Sequence, residues 1–207
     1  MASNWLYCYL DIEKFSLLLN NNLIMRSLLL VVATVLFSFS LATAQQSKLP
    51  EITVQDLAGK KVNIQDYAEN GKITVLNFWA TWCVPCKKEL DNITELYPEW
   101  TEKYNMELLA ISIDDPRSAR RVKPMVDAKA WDFEVLLDQN SDLKRALNFQ
   151  TVPYTIILDA EGNIAYSHGG YTEGYEYELE TIIAELAGVS TSEDKPKKRK
   201  KKEMSGE

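Results

Sequence analysis

The sequence predicts an α/β fold in which helices flank a mixed central β-sheet. Apolar runs of strand length alternate along the chain with segments whose apolar residues recur at helical spacing. The clearest pair is the run 73–79, which is rich in β-branched and aromatic residues, and the helical pattern that follows it over 87–97. The 207 residues are enough for one such domain with tails.

A short β-hairpin is predicted ahead of this pair. Residues 49–55 and 61–64 alternate apolar and polar side chains, and the sequence Ala-Gly-Lys lies between them at 58–60. The long helix that follows the strand 73–79 should end near Lys103. We therefore expect an N-terminal β-hairpin before the central part of the sheet.

Strands and helices continue to alternate in the second half of the chain. We predict strands at 106–113 and 133–137, a strand after Pro153 that ends at Leu158, and an edge strand at 164–167, together with helices at 117–130, 142–147 and 175–186. The sequence Asp114-Asp115-Pro116, an acid followed by proline, is typical of a helix start, whereas Pro124 should bend or divide the helix that follows. The segment 159–163 is predicted to be the hairpin turn between the last two strands.

Cys83 and Cys86 lie at the junction of the strand 73–79 with the long helix, in what we predict to be its first turn. The first N–H groups of a helix have no intrahelical partner, and the helix dipole places partial positive charge there. We therefore expect the pKa of the Cys83 thiol to fall below that of a free thiol. Pro85 suits the first turn because its missing N–H would have had no partner.

Two other roles for the cysteine pair fit the sequence less well. A zinc site would need two more Cys or His ligands, and the sequence offers only Cys8 and His168. A structural disulfide across so short a ring would remove little entropy from the unfolded chain. We therefore predict a redox-active pair, Cys83 and Cys86, with no bound metal and no cofactor.

The segment 77–87, Asn-Phe-Trp-Ala-Thr-Trp-Cys-Val-Pro-Cys-Lys, resembles the active-site strand and helix of the thioredoxin superfamily. Its continuation as W-C-x-P-C-K-K-E is most similar to the TlpA/ResA-type extracytoplasmic thiol–disulfide oxidoreductases. The resemblance covers about residues 49–187. It implies a thioredoxin-like fold, an N-terminal β-hairpin before the core and the activity of a protein-disulfide reductase.

The resemblance also implies a role for individual residues. Cys83 would attack the substrate disulfide, and Cys86 would resolve the mixed disulfide. The bond before Pro153 is expected to be cis, to face the dithiol and to expose the backbone of Val152 to an extended peptide. The implied substrate-binding residues are Trp82, Pro85, Val152 and Pro153. Trp79 either joins this apolar rim or is an ordinary core residue.

Glu89 is the candidate proton acceptor. Thioredoxins carry an aspartate where Asn77 stands, so the usual buried acid is replaced in this sequence. ResA-like proteins carry a glutamate near the cysteines at the position that matches Glu89. Burial there would raise the carboxyl pKa and let it accept the proton of Cys86. The alternative is a first-turn acid that interacts with the helix dipole.

Residues 25–44 are typical of a signal peptide. They have a positive start, an apolar run and an Ala-Thr-Ala site that predicts cleavage after Ala44. The alternative is an uncleaved membrane anchor. Residues 1–24 fit no targeting pattern, and we interpret them as a spurious extension upstream of a true start at Met25. The mature protein would then lack Cys8 and lie in the periplasm.

The thioredoxin-like domain is predicted to span 45–189 and to be followed by a disordered basic tail over 190–207. Residues 45–192 contain 14 Lys and Arg against 24 Asp and Glu, a formal net charge of −10. This charge disfavours a nucleic-acid partner for the domain. Contact between the basic run 197–202 and anionic lipid head groups is a weaker hypothesis.

These features predict an extracytoplasmic reductant of disulfides in exported proteins. In the branch that the chain resembles, the substrates include apocytochrome c haem-site disulfides and copper-site cysteines of oxidase assembly. A reductant in an oxidising compartment also implies a DsbD/CcdA-like membrane electron donor. The alternatives are a thiol peroxidase, a copper-binding chaperone and a dithiol oxidant. The sequence lacks a feature typical of each alternative. These features are, in the same order, the T-x-x-C spacing, extra Met or His beside the pair, and a histidine between the cysteines.

Overall fold

The computed structural model describes residues 48–189, which form a seven-stranded mixed β-sheet and five helices. The predicted upstream extension, the signal peptide and the basic tail lie outside the described residues. No helix within the described part of the chain combines the length and the apolar character needed to cross a membrane. The predicted α/β fold class is confirmed.

The strands are β1 (Thr53–Asp56), β2 (Lys61–Asn63), β3 (Ile73–Trp79), β4 (Met106–Ser112), β5 (Glu134–Leu137), β6 (Tyr154–Leu158) and β7 (Ile164–Gly169). The helices are α1 (Gln65–Ala68), α2 (Val84–Tyr104), α3 (Val122–Lys129), α4 (Asp142–Ala146) and α5 (Tyr175–Leu186), and a 3₁₀ turn at Ala119–Arg121 precedes α3.

The sheet has the strand order β2-β1-β5-β4-β3-β6-β7. Strands β5, β4 and β3 run parallel, and every other pair is antiparallel. β3 lies between β4 and β6, and all seven of its side chains are buried, which explains its continuous apolar sequence. The predicted N-terminal hairpin is present as β1 and β2, and it extends the sheet beyond β5.

Two apolar cores lie on the two faces of the sheet. One joins alternate β3 side chains such as Val75 to Leu90 of α2 and Leu179 of α5. The other joins Leu76 of β3 to Leu143 of α4. Neighbouring β3 residues therefore enter different cores, as the period-two geometry of a strand requires. The active-site helix α2 belongs to the first of these cores.

The helix predicted at 117–130 was wrong at its beginning. Residues 119–121 form a 3₁₀ turn, and α3 starts only at Val122. Pro124 consequently lies in the first turn of α3, where its missing N–H removes no intrahelical hydrogen bond. Helix α1 was not predicted because its four residues are too few to show helical periodicity.

The predicted turn at 159–163 joins β6 to the edge strand β7, as expected. The Asp159 carboxylate accepts hydrogen bonds from the backbone N–H groups of Glu161 and Asn163. Gly162 has a φ of +77°, and a Cβ at this position would lie 2.2 Å from the carbonyl oxygen of Ala68. Only glycine fits here, because both the backbone conformation and the close approach exclude a side chain.

Candidate active site

Cys83 and Cys86 are joined by a disulfide where β3 leads into α2. Cys83 is the N-cap of α2, and its Sγ accepts a hydrogen bond from the backbone N–H of Cys86 at 3.3 Å. Cys83 therefore lies just before the first turn, rather than within it as predicted. Cys86 is fully buried and Cys83 is 4% exposed, so Cys83 is the cysteine nearer to solvent. Pro85 lies in the first turn, as expected.

Two large apolar side chains beside Cys83 are exposed to solvent. Trp82 is 62% exposed and Val84 is 70% exposed. Exposed apolar side chains that cluster in this way are typical of a protein-binding surface. Trp79 differs from Trp82, because it is fully buried and packs edge-on against Trp131 with ring centroids 5.0 Å apart. Trp79 is thus a core residue, which decides between its two interpretations.

Pro153 lies at the same end of the sheet as the cysteine pair. The β3–β6 register pairs Phe78 with Tyr154, so the start of β6 adjoins the end of β3. The Val152–Pro153 bond is cis, as expected from the resemblance. Val152 is partly buried and packs against the core cluster that contains both cysteines. The fold thus brings residues about 70 positions apart in the sequence to the same end of the sheet, where Pro153 is buried.

A buried carboxylate holds the turn that precedes Cys83. Asp114 is 1% exposed and accepts hydrogen bonds from the backbone N–H and the hydroxyl of Thr81, both at 2.7 Å. The Ser112 hydroxyl donates a third hydrogen bond to Asp114 at 2.9 Å. Asp114 therefore does not cap the turn that follows it. Asp115 accepts the backbone hydrogen bonds of that turn instead.

Glu89 is fully buried in the second turn of α2. Burial raises the pKa of its carboxyl group to about 7, although the nearby Asn77 amide and the Thr155 hydrogen bond oppose the shift. The negative charge of Glu176 adds a smaller increase. The alternative reading of Glu89 as a first-turn acid is wrong, because a buried second-turn side chain cannot serve the helix terminus.

The carboxyl group of Glu89 lies among polar side chains beneath α2. The Thr155 hydroxyl donates to Glu89 Oε1 at 3.3 Å, and the Asn77 amide donates to Thr155 Oγ1 at 3.0 Å. Glu89 Oε2 and Asn77 Oδ1 have no hydrogen-bond partner within residues 48–189. Three positions after Cys86, Glu89 projects from the same side of the helix. A carboxyl group with a pKa near neutrality is therefore buried close to Cys86.

The described part of the chain also bears on metal binding. Within it, no three His, Cys, Asp or Glu side chains are grouped so that they could hold a metal ion. His168 lies near the end of β7, and its ring stacks on that of Tyr175.

Comparison with known proteins identifies the family. The model of the AhpC/TSA family matches residues 46–167. Thiol–disulfide oxidoreductase ResA of Bacillus cereus is 31% identical over 153 residues, which cover 70% of this chain and 86% of that protein. ResA of Geobacillus kaustophilus is 30% identical over 171 residues, which cover 77% of this chain and 95% of that protein.

Solved structures agree with this assignment. A thioredoxin-like protein from Porphyromonas gingivalis is 41% identical, with a TM-score of 0.62 over 68% of this chain and 92% of that one. StoA from Bacillus subtilis, at 22% identity, has a TM-score of 0.52 over 64% of this chain and 98% of that one, and it supports the fold alone. The chain belongs to the AhpC/TSA family and, within it, to the ResA-like thiol–disulfide oxidoreductases of thioredoxin-like fold.

Proposed function

We propose that this protein reduces disulfides in exported proteins, with Cys83 and Cys86 as its redox-active pair. The observation that carries the proposal is the position of Cys83 as the N-cap of α2, between two exposed apolar side chains. A sulfur at this position is stabilised as a thiolate by the helix dipole and the unpaired N–H groups. The exposed Trp82 and Val84 offer a surface on which a protein substrate can dock.

The reaction is a two-step disulfide exchange. The Cys83 thiolate attacks one sulfur of the substrate disulfide, which forms a mixed disulfide and releases the other sulfur as a thiolate. Cys86 then loses its proton to Glu89 and attacks Cys83. This step forms the Cys83–Cys86 disulfide and releases the second substrate thiolate. Two electrons have then moved from the protein dithiol to the substrate, which ends as a dithiol.

We expect the substrate to contact the exposed side chains of Trp82 and Pro85 and the segment Val152–Pro153, in which Val152 is partly buried and Pro153 is buried. An extended peptide beside the cis bond would make backbone hydrogen bonds with Val152 while its disulfide lies over Cys83. Apolar contacts to Trp82 would hold the peptide without selecting a particular sequence. This arrangement favours protein substrates whose cysteines lie in unfolded or flexible segments.

The cellular setting completes the proposal. The leader-like sequence at 25–44 and the similarity to ResA favour a site of action outside the cytoplasm, in the periplasm. Exported proteins with vicinal cysteines, such as apocytochrome c and the copper-site proteins of oxidase assembly, are the proposed substrates. A dithiol membrane protein of the DsbD/CcdA kind would return the pair to its reduced form, because the compartment itself is oxidising.

Insulin reduction tests the activity directly. We expect catalytic amounts of the purified protein to accelerate the reduction of insulin by dithiothreitol, measured as turbidity from the precipitating B chain. The same preparation should consume hydrogen peroxide no faster than dithiothreitol alone, because the cysteine pair lacks the peroxidase spacing. Rapid peroxide consumption with no acceleration of insulin reduction would contradict the proposal and favour a thiol peroxidase.

A further inference from the structure

Three polar side chains form a row across three neighbouring strands. Asn77 of β3 is paired with Thr155 of β6, and Thr155 is paired with His168 of β7. Directly paired residues have their side chains on the same face of the sheet, with Cβ atoms roughly 5 Å apart. The next pair in the register, Val75 and Ile157, belongs to the apolar core. The row is therefore a polar path through an apolar layer.

One end of this row meets the buried carboxyl group. The Thr155 hydroxyl donates to Glu89 Oε1, and the Asn77 amide donates to Thr155. Glu89 has no exposed surface, so it cannot exchange a proton directly with bulk water. Any proton that Glu89 takes up or loses must pass through a neighbouring group. Thr155 is suited to this role because a hydroxyl can accept one proton while it donates another.

The other end of the row reaches the edge of the sheet. His168 lies on the edge strand β7 and is partly exposed. Its ring stacks on Tyr175 of α5 at 4.4 Å between centroids and is parallel to the ring of Tyr166 at 6.4 Å. Both contacts restrict the imidazole to the face that carries Thr155. Histidine is the side chain best suited to exchange protons with water near neutral pH.

The other titratable groups around the row are less suited to carry this proton. Burial is the main cause that raises the pKa of Tyr175 above its usual range. Its hydroxyl has no hydrogen-bond partner among the described residues, so no hydrogen bond leads to it from Glu89, whereas one leads to Thr155. The Glu176 carboxylate accepts hydrogen bonds from Tyr171 and Asn92. The charge that acts on Glu89 is that of Glu176. The charges that act on Tyr175 are those of Tyr166, Glu89 and Glu178.

We propose that His168 carries the proton between buried Glu89 and solvent, with the Thr155 hydroxyl as the relay. The proposal rests on the proposed function, since the proton is the one that Glu89 takes from Cys86. The protonated Glu89 donates to Thr155 Oγ1, the Thr155 hydroxyl proton passes to the His168 imidazole, and the imidazolium releases a proton to water. No electrons move in this relay. His168 thus acts on the reaction through Glu89 and touches neither cysteine in this scheme.

The test follows the mixed disulfide itself. Reduced protein is mixed with oxidised glutathione, the reaction is quenched with acid, and intact mass separates the glutathione adduct from the intramolecular disulfide. Formation of the adduct reports the attack by Cys83, and its decay reports the proton-dependent attack by Cys86. Five variants are compared with the wild type. His168→Phe keeps a ring against Tyr175, whereas His168→Ala removes it. The others are Glu89→Gln, the double variant Glu89→Gln/His168→Phe, and the control Ser167→Ala on the outer face of β7.

We expect His168→Phe to slow the decay about tenfold or more without changing adduct formation, since positioned proton transfer contributes roughly 10²–10⁴-fold to rates. Added imidazole should restore the decay rate of His168→Ala and leave the wild-type rate unchanged. The double variant should decay no more slowly than Glu89→Gln alone, and Ser167→Ala should match the wild type.

Each contrary outcome identifies what has failed. Wild-type decay rates in both His168 variants, with slow decay in Glu89→Gln, would overturn the role of His168 and leave the proposed function intact. Additive losses in the double variant would also overturn it, because His168 would then act independently of Glu89. Failure of the wild-type protein to form the adduct would contradict the proposed function itself.

Discussion

Replacing Cys83 with serine is expected to abolish insulin reduction, with a loss of roughly 10³-fold or more, because the attacking sulfur is removed. Replacing Cys86 with serine should instead trap the substrate. Cys83 would still attack, but the mixed disulfide could not be resolved from within the protein. Intact-mass analysis after mixing with a peptide disulfide should therefore show a stable adduct with Cys86→Ser and none with Cys83→Ser.

The comparison needs a background without other thiols. Cys8 should be changed to serine in every variant, because an additional cysteine would give adducts unrelated to the site. The parent Cys8→Ser protein should retain full activity. A stable adduct on Cys86 in the Cys83→Ser variant would reverse the assignment of the two sulfurs. It would also conflict with the burial of Cys86, which has no exposed surface.

Replacing Glu89 with glutamine is expected to remove a pH dependence from the stability of the fold. The folded state raises the pKa of Glu89 from 4.5 to about 7, so folding favours the protonated carboxyl group. Below pH 4.5 the group is protonated in both states and contributes no pH dependence. As the pH rises from 4.5 to 7, the unfolded chain ionises first and stability falls. Above pH 7 the loss levels off at about 3 kcal/mol.

Urea unfolding at pH 4.5 and pH 8 measures this effect. The free energy of unfolding of Glu89→Gln, relative to the wild type, should increase by about 3 kcal/mol between the two pH values. Glu95→Gln is the matched control, because Glu95 is an exposed residue of the same helix. The free energy of unfolding of Glu95→Gln should change between the two pH values as that of the wild type does. A Glu89→Gln variant whose stability parallels the wild type throughout would show that Glu89 ionises normally in the folded protein.

The sequence was most informative where chemistry depends on near neighbours in the chain. The apolar strand before Cys83 and the helical spacing after Cys86 placed the pair at a strand–helix junction, which the structure confirms. Glu89 could be proposed because it lies three positions after Cys86 on the same helix. Its burial could not be derived, since an acid near a helix start is equally compatible with an exposed position.

The remaining features depend on the register between distant strands. The row of Asn77, Thr155 and His168 exists only because β6 pairs with β3 on one side and with β7 on the other. No local pattern indicates these pairings. The sequence Asp114-Asp115-Pro116 indicated a helix start, yet the Asp114 carboxylate accepts hydrogen bonds from Thr81 across the end of the sheet. Contacts of this kind are set by the tertiary fold and leave no periodic signal.

The reduction potential of the Cys83–Cys86 couple decides whether the protein is a reductant. It can be measured by equilibrating the protein with dithiothreitol or glutathione buffers of known potential, quenching with acid and counting free thiols by alkylation. A potential near that of thioredoxin, about −270 mV, is the expected result. A potential near about −120 mV, the value of a strong dithiol oxidant, would contradict the assignment.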